Sequence, residues 1–167
     1  GTGRLPRANG AAGAEGRFGA PVLNVVGGAE AHGSIFAALQ MLGLGRERVT
    51  RIAVDGQGRM RADALEAALA RLDGPTIVCL QAGNVNTGAF DPFVPIIKAC
   101  HARDAWVHVD GAFGLWAAAT PRLRHLVEGV EQADSWAAAA HKWLNLPYAS
   151  CIAMPPDPDA HPAALPT

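Results

Sequence analysis

Two segments of this chain carry residue types that do chemistry together. Val107-His108-Val109-Asp110-Gly111-Ala112-Phe113-Gly114 reads as a buried strand that ends in a carboxylate. Ala140-His141-Lys142-Trp143-Leu144 sets a lysine in an otherwise apolar run further along. A carboxylate at the end of a buried strand costs desolvation unless a cation meets it. A lysine amine kept out of water is freed to act as a nucleophile. An amine that condenses with an aldehyde, and an acid that pairs with a ring nitrogen, are together what pyridoxal phosphate (PLP) chemistry requires. Each residue also has a plainer use. Asp110 could cap a following helix or bind a metal, and Lys142 could send its ammonium to solvent along an apolar stem. The only other lysine, Lys98, falls on an expected surface helix.

The elements that must position these groups alternate. Pro21 to Val26 is a short β-branched run, and Gly27-Gly28 ends it. Ile35, Phe36, Leu39 and Leu42 make a helical stripe over 34–42, closed by Gly43 and Gly45. Arg48 to Val54 reads as a strand, and Asp55-Gly56-Gln57-Gly58 as a turn. Ala64, Leu65, Ala68, Leu69 and Leu72 form the inner face of an amphipathic helix over 61–72, with Glu66 and Arg71 outward. Thr76 to Leu80 is unbroken and apolar, as a strand covered on both faces should be. A helix over 92–102 follows, with Pro92 near its first turn. Then come the strand at 106–110, a short helix at 121–127, and short strands at 135–138 and 150–154. This order predicts an α/β fold: a mostly parallel sheet flanked by helices on both faces. In such sheets ligands bind beyond the carboxyl ends of the strands, where Asp110 sits.

Composition narrows the function classes. Half of the 167 residues are hydrophobic, and 14 basic against 15 acidic side chains leave a net charge of −1. That is enough for one domain with a core, and it offers no basic surface for nucleic acid or an anionic membrane. No apolar run approaches the roughly 20 residues of a membrane span. Cys79, Cys100 and Cys151 are far apart and read as reduced core thiols, not as a disulfide framework or metal cluster. The first residues show no charged-then-apolar pattern, so the expected compartment is the cytoplasm.

These segments and their order resemble the PLP-dependent group II amino-acid decarboxylases, the family of the glutamate, aromatic-amino-acid and tyrosine decarboxylases. The resemblance is carried by the His108–Gly114 string, by His141-Lys142-Trp143, and by the loop Gln81-Ala82-Gly83-Asn84-Val85-Asn86-Thr87-Gly88-Ala89-Phe90-Asp91. It implies part of the large domain of the aspartate-aminotransferase fold (fold type I) over 21–155, after a low-complexity start at 1–20 and before a truncated tail at 156–167. It also implies the cofactor PLP, an amino-acid substrate, a homodimer, and conversion of an L-amino acid to its amine and CO2.

By the same resemblance Lys142 forms the Schiff base and Asp110 pairs with the pyridine nitrogen. The His32 imidazole stacks on the ring, and the Ala112 methyl touches its opposite face. His141 lies near the phosphate, and Asn84 contacts the cofactor where the family often has threonine. Taken by itself, His32 would be a helix cap, His141 a packing residue, and the 81–91 loop an ordinary connection in which Asp91 starts a helix. The chain departs from the family at Gly111, usually alanine and a small change, and at Ala139, often a polar residue near the phosphate. The family's phosphate-cradling turn and its small C-terminal domain are expected outside this sequence. Two other readings stand beside decarboxylation: a catalytically inactive fold remnant or partner-binding subunit, and a PLP-dependent aminotransferase or desulfurase with the same acid and lysine. A nucleotide-binding α/β domain is disfavoured, since no Gly-x-Gly-x-x-Gly links a strand to a helix.

Overall fold

The computed structural model describes residues 19–154, so most of the low-complexity start and the whole tail lie outside the described residues. Six strands form one sheet: β1 (Asn24–Gly28), β2 (Thr50–Ile52), β3 (Thr76–Gln81), β4 (Trp106–Asp110), β5 (Ser135–Ala139) and β6 (Cys151–Met154). Their order is β2-β1-β3-β4-β5-β6, with all pairings parallel except β5 with β6. Four α-helices connect them: α1 (Gly33–Met41), α2 (Ala62–Leu69), α3 (Phe93–His101) and the single turn α4 (Ala140–Trp143). The mostly parallel sheet is therefore as expected from the strand–helix alternation.

Side chains alternate across the strands and set the two faces. Val26, Val78, Leu80, Val107 and Val109 are fully buried on one face, against Leu65 and Leu69 of α2 and Phe93, Ile96, Ile97 and Cys100 of α3. On the other face Val25 and Cys79 pack with Leu39 of α1. Trp106, His108 and Asp110 share that second face and are only half-buried. The helical stripe over 34–42 holds at Leu39 but fails at Leu42, which caps α1 and is exposed. Residues 114–132 form three short 3-10 segments (Gly114–Ala119, Arg124–Val127, Val130–Gln132), where the sequence pattern predicts one helix at 121–127. Small residues at 117–119 and left-handed Gly129 favour tight turns over a continuous helix there. Cys79 and Cys100 are core thiols; Cys151, on the edge strand β6, is exposed, contrary to expectation.

Two polar clamps hold the sheet edge that matters. Asp91 is buried, and its carboxylate accepts the N–H of Met60 at 2.7 Å and of Gln81 at 2.7 Å. It thereby ties the 54–60 turn to the end of β3. The segment after β4 is laced to both neighbours. Gly111 N–H donates to Ala137 O at 2.8 Å, Gly114 N–H to Ala82 O at 2.9 Å, and Ala139 N–H to Ala112 O at 3.3 Å. This close approach explains Gly111 and Gly114. A Cβ on Gly114 would lie 2.5 Å from Ala82 O, and one on Gly111 would lie 2.5 Å from Leu115 Cβ. Glycine at 111 is thus a requirement of this chain and not a small change from alanine.

Two outcomes follow from this packing. Gly111→Ala should lower stability by about 1–3 kcal/mol, the usual cost of overpacking, read as a reduced urea midpoint; an unchanged midpoint would mean the 111–115 turn yields. Asp91→Ala should cost roughly 2–4 kcal/mol, because two buried N–H donors lose their acceptor. Burial pushes the Asp91 carboxyl up to about 6, against the pull of its two N–H donors. The folded chain then binds this proton more tightly than the unfolded chain. The Asp91 contribution to stability should therefore decline as pH rises from about 4 to about 6 and stay level above that. Urea midpoints of the wild type relative to Asp91→Asn across that window test the sign.

Candidate active site

Asp110 is the last residue of β4, and Lys142 lies one turn beyond the end of β5. The two strands are parallel neighbours, in register at Asp110 and Ala137. Both groups therefore emerge at the same carboxyl edge of the sheet, which a carboxylate and an amine far apart in sequence reach only through this pairing. Asp110 accepts the N–H of Ala112 through Oδ1 at 3.1 Å, a two-residue turn that fixes the carboxylate at the strand end. Among the described residues no cation forms an ion pair with it. Asp110 does not cap a following helix: its carboxylate caps its own turn, and the next 3-10 segment begins only at Gly114.

Lys142 is half-buried, and its Nζ stands 4.4 Å from the centre of the Phe113 ring. The start of α4 is fixed from two sides. Trp116 Nε1–H donates to Ala139 O at 3.1 Å, and Ala140 N–H donates to Ser150 O at 2.8 Å. His141 shares this anchor: its Nδ1 meets Ser150 O at 3.1 Å, and its ring tilts against Tyr148 with centroids 4.9 Å apart. Ala112, two residues after the acid, is half-buried and held to the end of β5 by its own carbonyl.

His32 follows β1 and caps α1, accepting the Ser34 N–H on Nδ1 at 3.2 Å. It is exposed and sits at the same carboxyl edge, but two strands away from β4. Asn84 follows β3 and is buried. Its Oδ1 accepts the N–H groups of Asn86 at 2.9 Å and Thr87 at 3.3 Å, and its Nδ2 donates to Gln81 Oε1 at 3.4 Å. The Asn84 amide thus builds the 81–91 loop from inside.

Three residues near the site escape a reading of the sequence alone. Phe113 and Trp116 touch the lysine and the strand end beneath it; the cue is two aromatics within a glycine-flanked turn directly after the acid. His108 lies on the face of Asp110, bonded through Nδ1 to Ser135 Oγ at 2.9 Å, and the same hydroxyl accepts Trp106 Nε1–H at 3.0 Å. Burial holds the His108 imidazole below its ordinary pKa, partly offset by the Asp110 charge.

Known proteins share this fold and much of this sequence. The model of the pyridoxal-dependent decarboxylase conserved domain matches residues 19–157. The chain is 35% identical over 147 residues to the acidic amino acid decarboxylase GADL1 of Homo sapiens, covering 86% of this chain and 28% of that protein. It is 39% identical over 127 residues to the L-2,4-diaminobutyrate decarboxylase of Rhizobium meliloti (strain 1021), covering 74% of this chain and 26% of that one. Among solved structures, mouse CSAD in apo form superposes with a TM-score of 0.82 at 31% identity, over 88% of this chain and 32% of that chain. The chain thus spans about a quarter to a third of the length of these relatives. The matched region contains the whole sheet edge with Asp110 and Lys142, and the fold is that of these decarboxylases. The chain belongs to the pyridoxal-dependent decarboxylase family.

Proposed function

We propose that this chain forms the cofactor-binding part of a PLP-dependent carboxy-lyase that converts an L-amino acid to its amine and CO2. The observation that carries the reading is the delivery of Asp110 and Lys142 to one sheet edge by adjacent parallel strands. The donor set fits the cofactor: one primary amine for its aldehyde, and one carboxylate, without a cationic partner among the described residues, for its ring nitrogen. When bound, PLP supplies an electron sink for the bond broken at the substrate α-carbon.

The residues of the chain do the positioning. Lys142 offers the nitrogen that holds the aldehyde. Asp110 keeps the proton on the ring nitrogen, and its bond to Ala112 N–H fixes the direction of the carboxylate. Ala112 presents a methyl too small to displace the ring. His32 has Nδ1 engaged by the α1 cap, which orients the imidazole for stacking. His141, anchored on Ser150 O, is proposed beside the phosphate, and Asn84 shapes the loop that borders the cofactor. Relatives named for acidic, aromatic and diamino substrates all match, so the reading extends to amino-acid decarboxylation and not to one side chain.

A homodimer and a cytoplasmic setting complete the proposal. Phe113, whose ring meets Lys142, and Trp143, Leu144, Leu146 and Tyr148, which follow the lysine in sequence, all expose apolar surface of the kind a second copy covers. The buried free thiols support a reducing compartment. No helix of the described residues is long and apolar enough to cross a membrane.

With two lysines in the chain, the assignment has a direct test. Incubation with PLP followed by borohydride and peptide mapping should label Lys142 in preference to Lys98; label shared equally, or none, would favour the fold-remnant reading. In the PLP-loaded chain, Asp110→Asn should reduce CO2 release from a responsive L-amino acid by about 10²-fold or more, the scale set by losing one placed electrostatic group. Product analysis separates the remaining reading: an oxo acid instead of an amine would indicate transamination.

A further inference from the structure

We infer that Phe113 is a positioning residue whose ring face holds the Lys142 amine at the mouth of the site. The ring centre lies 4.4 Å from Lys142 Nζ. A cation over an aromatic face is attracted by the ring quadrupole. Among the described residues no carboxylate forms an ion pair with Lys142, so the ring is the amine's electrostatic partner.

The backbone is held on both sides of Phe113. Gly114 N–H bonds the end of β3 at Ala82 O, and Ala112 O receives Ala139 N–H from the end of β5. Gly83, at φ +91°, lets the backbone after Phe113 approach: a Cβ there would lie 3.2 Å from Gly114 N. The ring is therefore a plate carried on a backbone fixed between the two strand ends. The lysine brings a flexible four-carbon stem whose rotamer freedom must be lost before its nitrogen reacts. Contact with the plate restricts that freedom in the unreacted cation.

This inference rests on the proposed attachment of PLP to Lys142, and its test separates the two. Lysine labelled with ¹³C at the ε-carbon gives two signals, from Lys98 and Lys142. Without cofactor, the Lys142 signal should carry the upfield ring-current shift of a group over an aromatic face. Phe113→Leu should abolish that shift, Phe113→Tyr should keep it, and the Lys98 signal should stay in place as the folding control. The second readout is trapping. The Lys142 nitrogen bonds the PLP aldehyde carbon, water leaves, and borohydride delivers hydride to that carbon. Because the unreacted cation makes this contact and gives it up when the nitrogen bonds the aldehyde, the ratio of label on Lys142 to label on Lys98 should rise about two- to five-fold in Phe113→Leu, the range of a cation–π contact at an exposed site, and return to the wild-type value in Phe113→Tyr. An absent ring-current shift, or a Leu variant trapped as efficiently as wild type, overturns the role of Phe113. Wild type trapped at neither lysine overturns the attachment instead, and the ring-current shift alone then decides whether the plate holds the amine.

Discussion

The parallel pairing of β4 with β5 is the constraint on which the rest depends. One carboxylate and one amine are useful together only if their backbones end side by side. Register at Asp110 and Ala137 sets the level, and the bonds from Gly111 N–H to Ala137 O and from Ala139 N–H to Ala112 O carry the pairing past the last regular residues. The strand ends cannot slide without breaking these bonds. Slippage by one residue would also turn Val107 and Val109 out of the core. The hydrophobic packing on one face and the placement of the acid on the other are thus one condition met twice.

Backbone proximity of this kind requires glycine. Gly111 and Gly114 sit where a methyl group would strike Leu115 or the Ala82 carbonyl, so the turn after Asp110 hugs both neighbouring strands. The same tightness leaves Phe113 with its side chain directed at the lysine. The buried carboxylate of Asp91 supports the edge from the other side by fastening the 54–60 turn to β3. Its burial disfavours the anion, while two N–H donors stabilise it, a balance consistent with a structural clamp held in place by its surroundings.

One face of the sheet is much better covered than the other. Helices α2 and α3 seal the valine face, whereas α1 reaches only the β1–β3 half of the opposite face. Trp106, His108 and Asp110 stay half-buried there; Trp106 Nε1 and His108 Nδ1 meet Ser135 Oγ, and Asp110 Oδ1 accepts the Ala112 N–H. With the exposed aromatic and aliphatic side chains around α4, this leaves Asp110 and Lys142 beside the least covered surface of the described residues.

Much of this is legible in the chain itself, because it depends on local pattern. The unbroken apolar run at 76–80, the alternating strand at 106–110, the helical stripe at 64–69 and the glycine-rich breaks specify strands, helix and turns through burial and backbone freedom, and their alternation leads to a mostly parallel sheet. The acid at a strand end and the lysine among alanines are visible for the same reason. What local pattern cannot encode is contact between distant segments. The exposure of Leu42 and Cys151, the 3-10 turns of 114–132, the inward Asn84 amide and the Asp91 clamp all depend on which neighbour arrives. So does the need for glycine at 111, since only the packed fold puts Leu115 Cβ 2.5 Å from where a methyl would stand. Sequence determined which groups could react; the tertiary structure decided which of them share one sheet edge, because hydrogen bonding between parallel strands converts separation along the chain into adjacency in space.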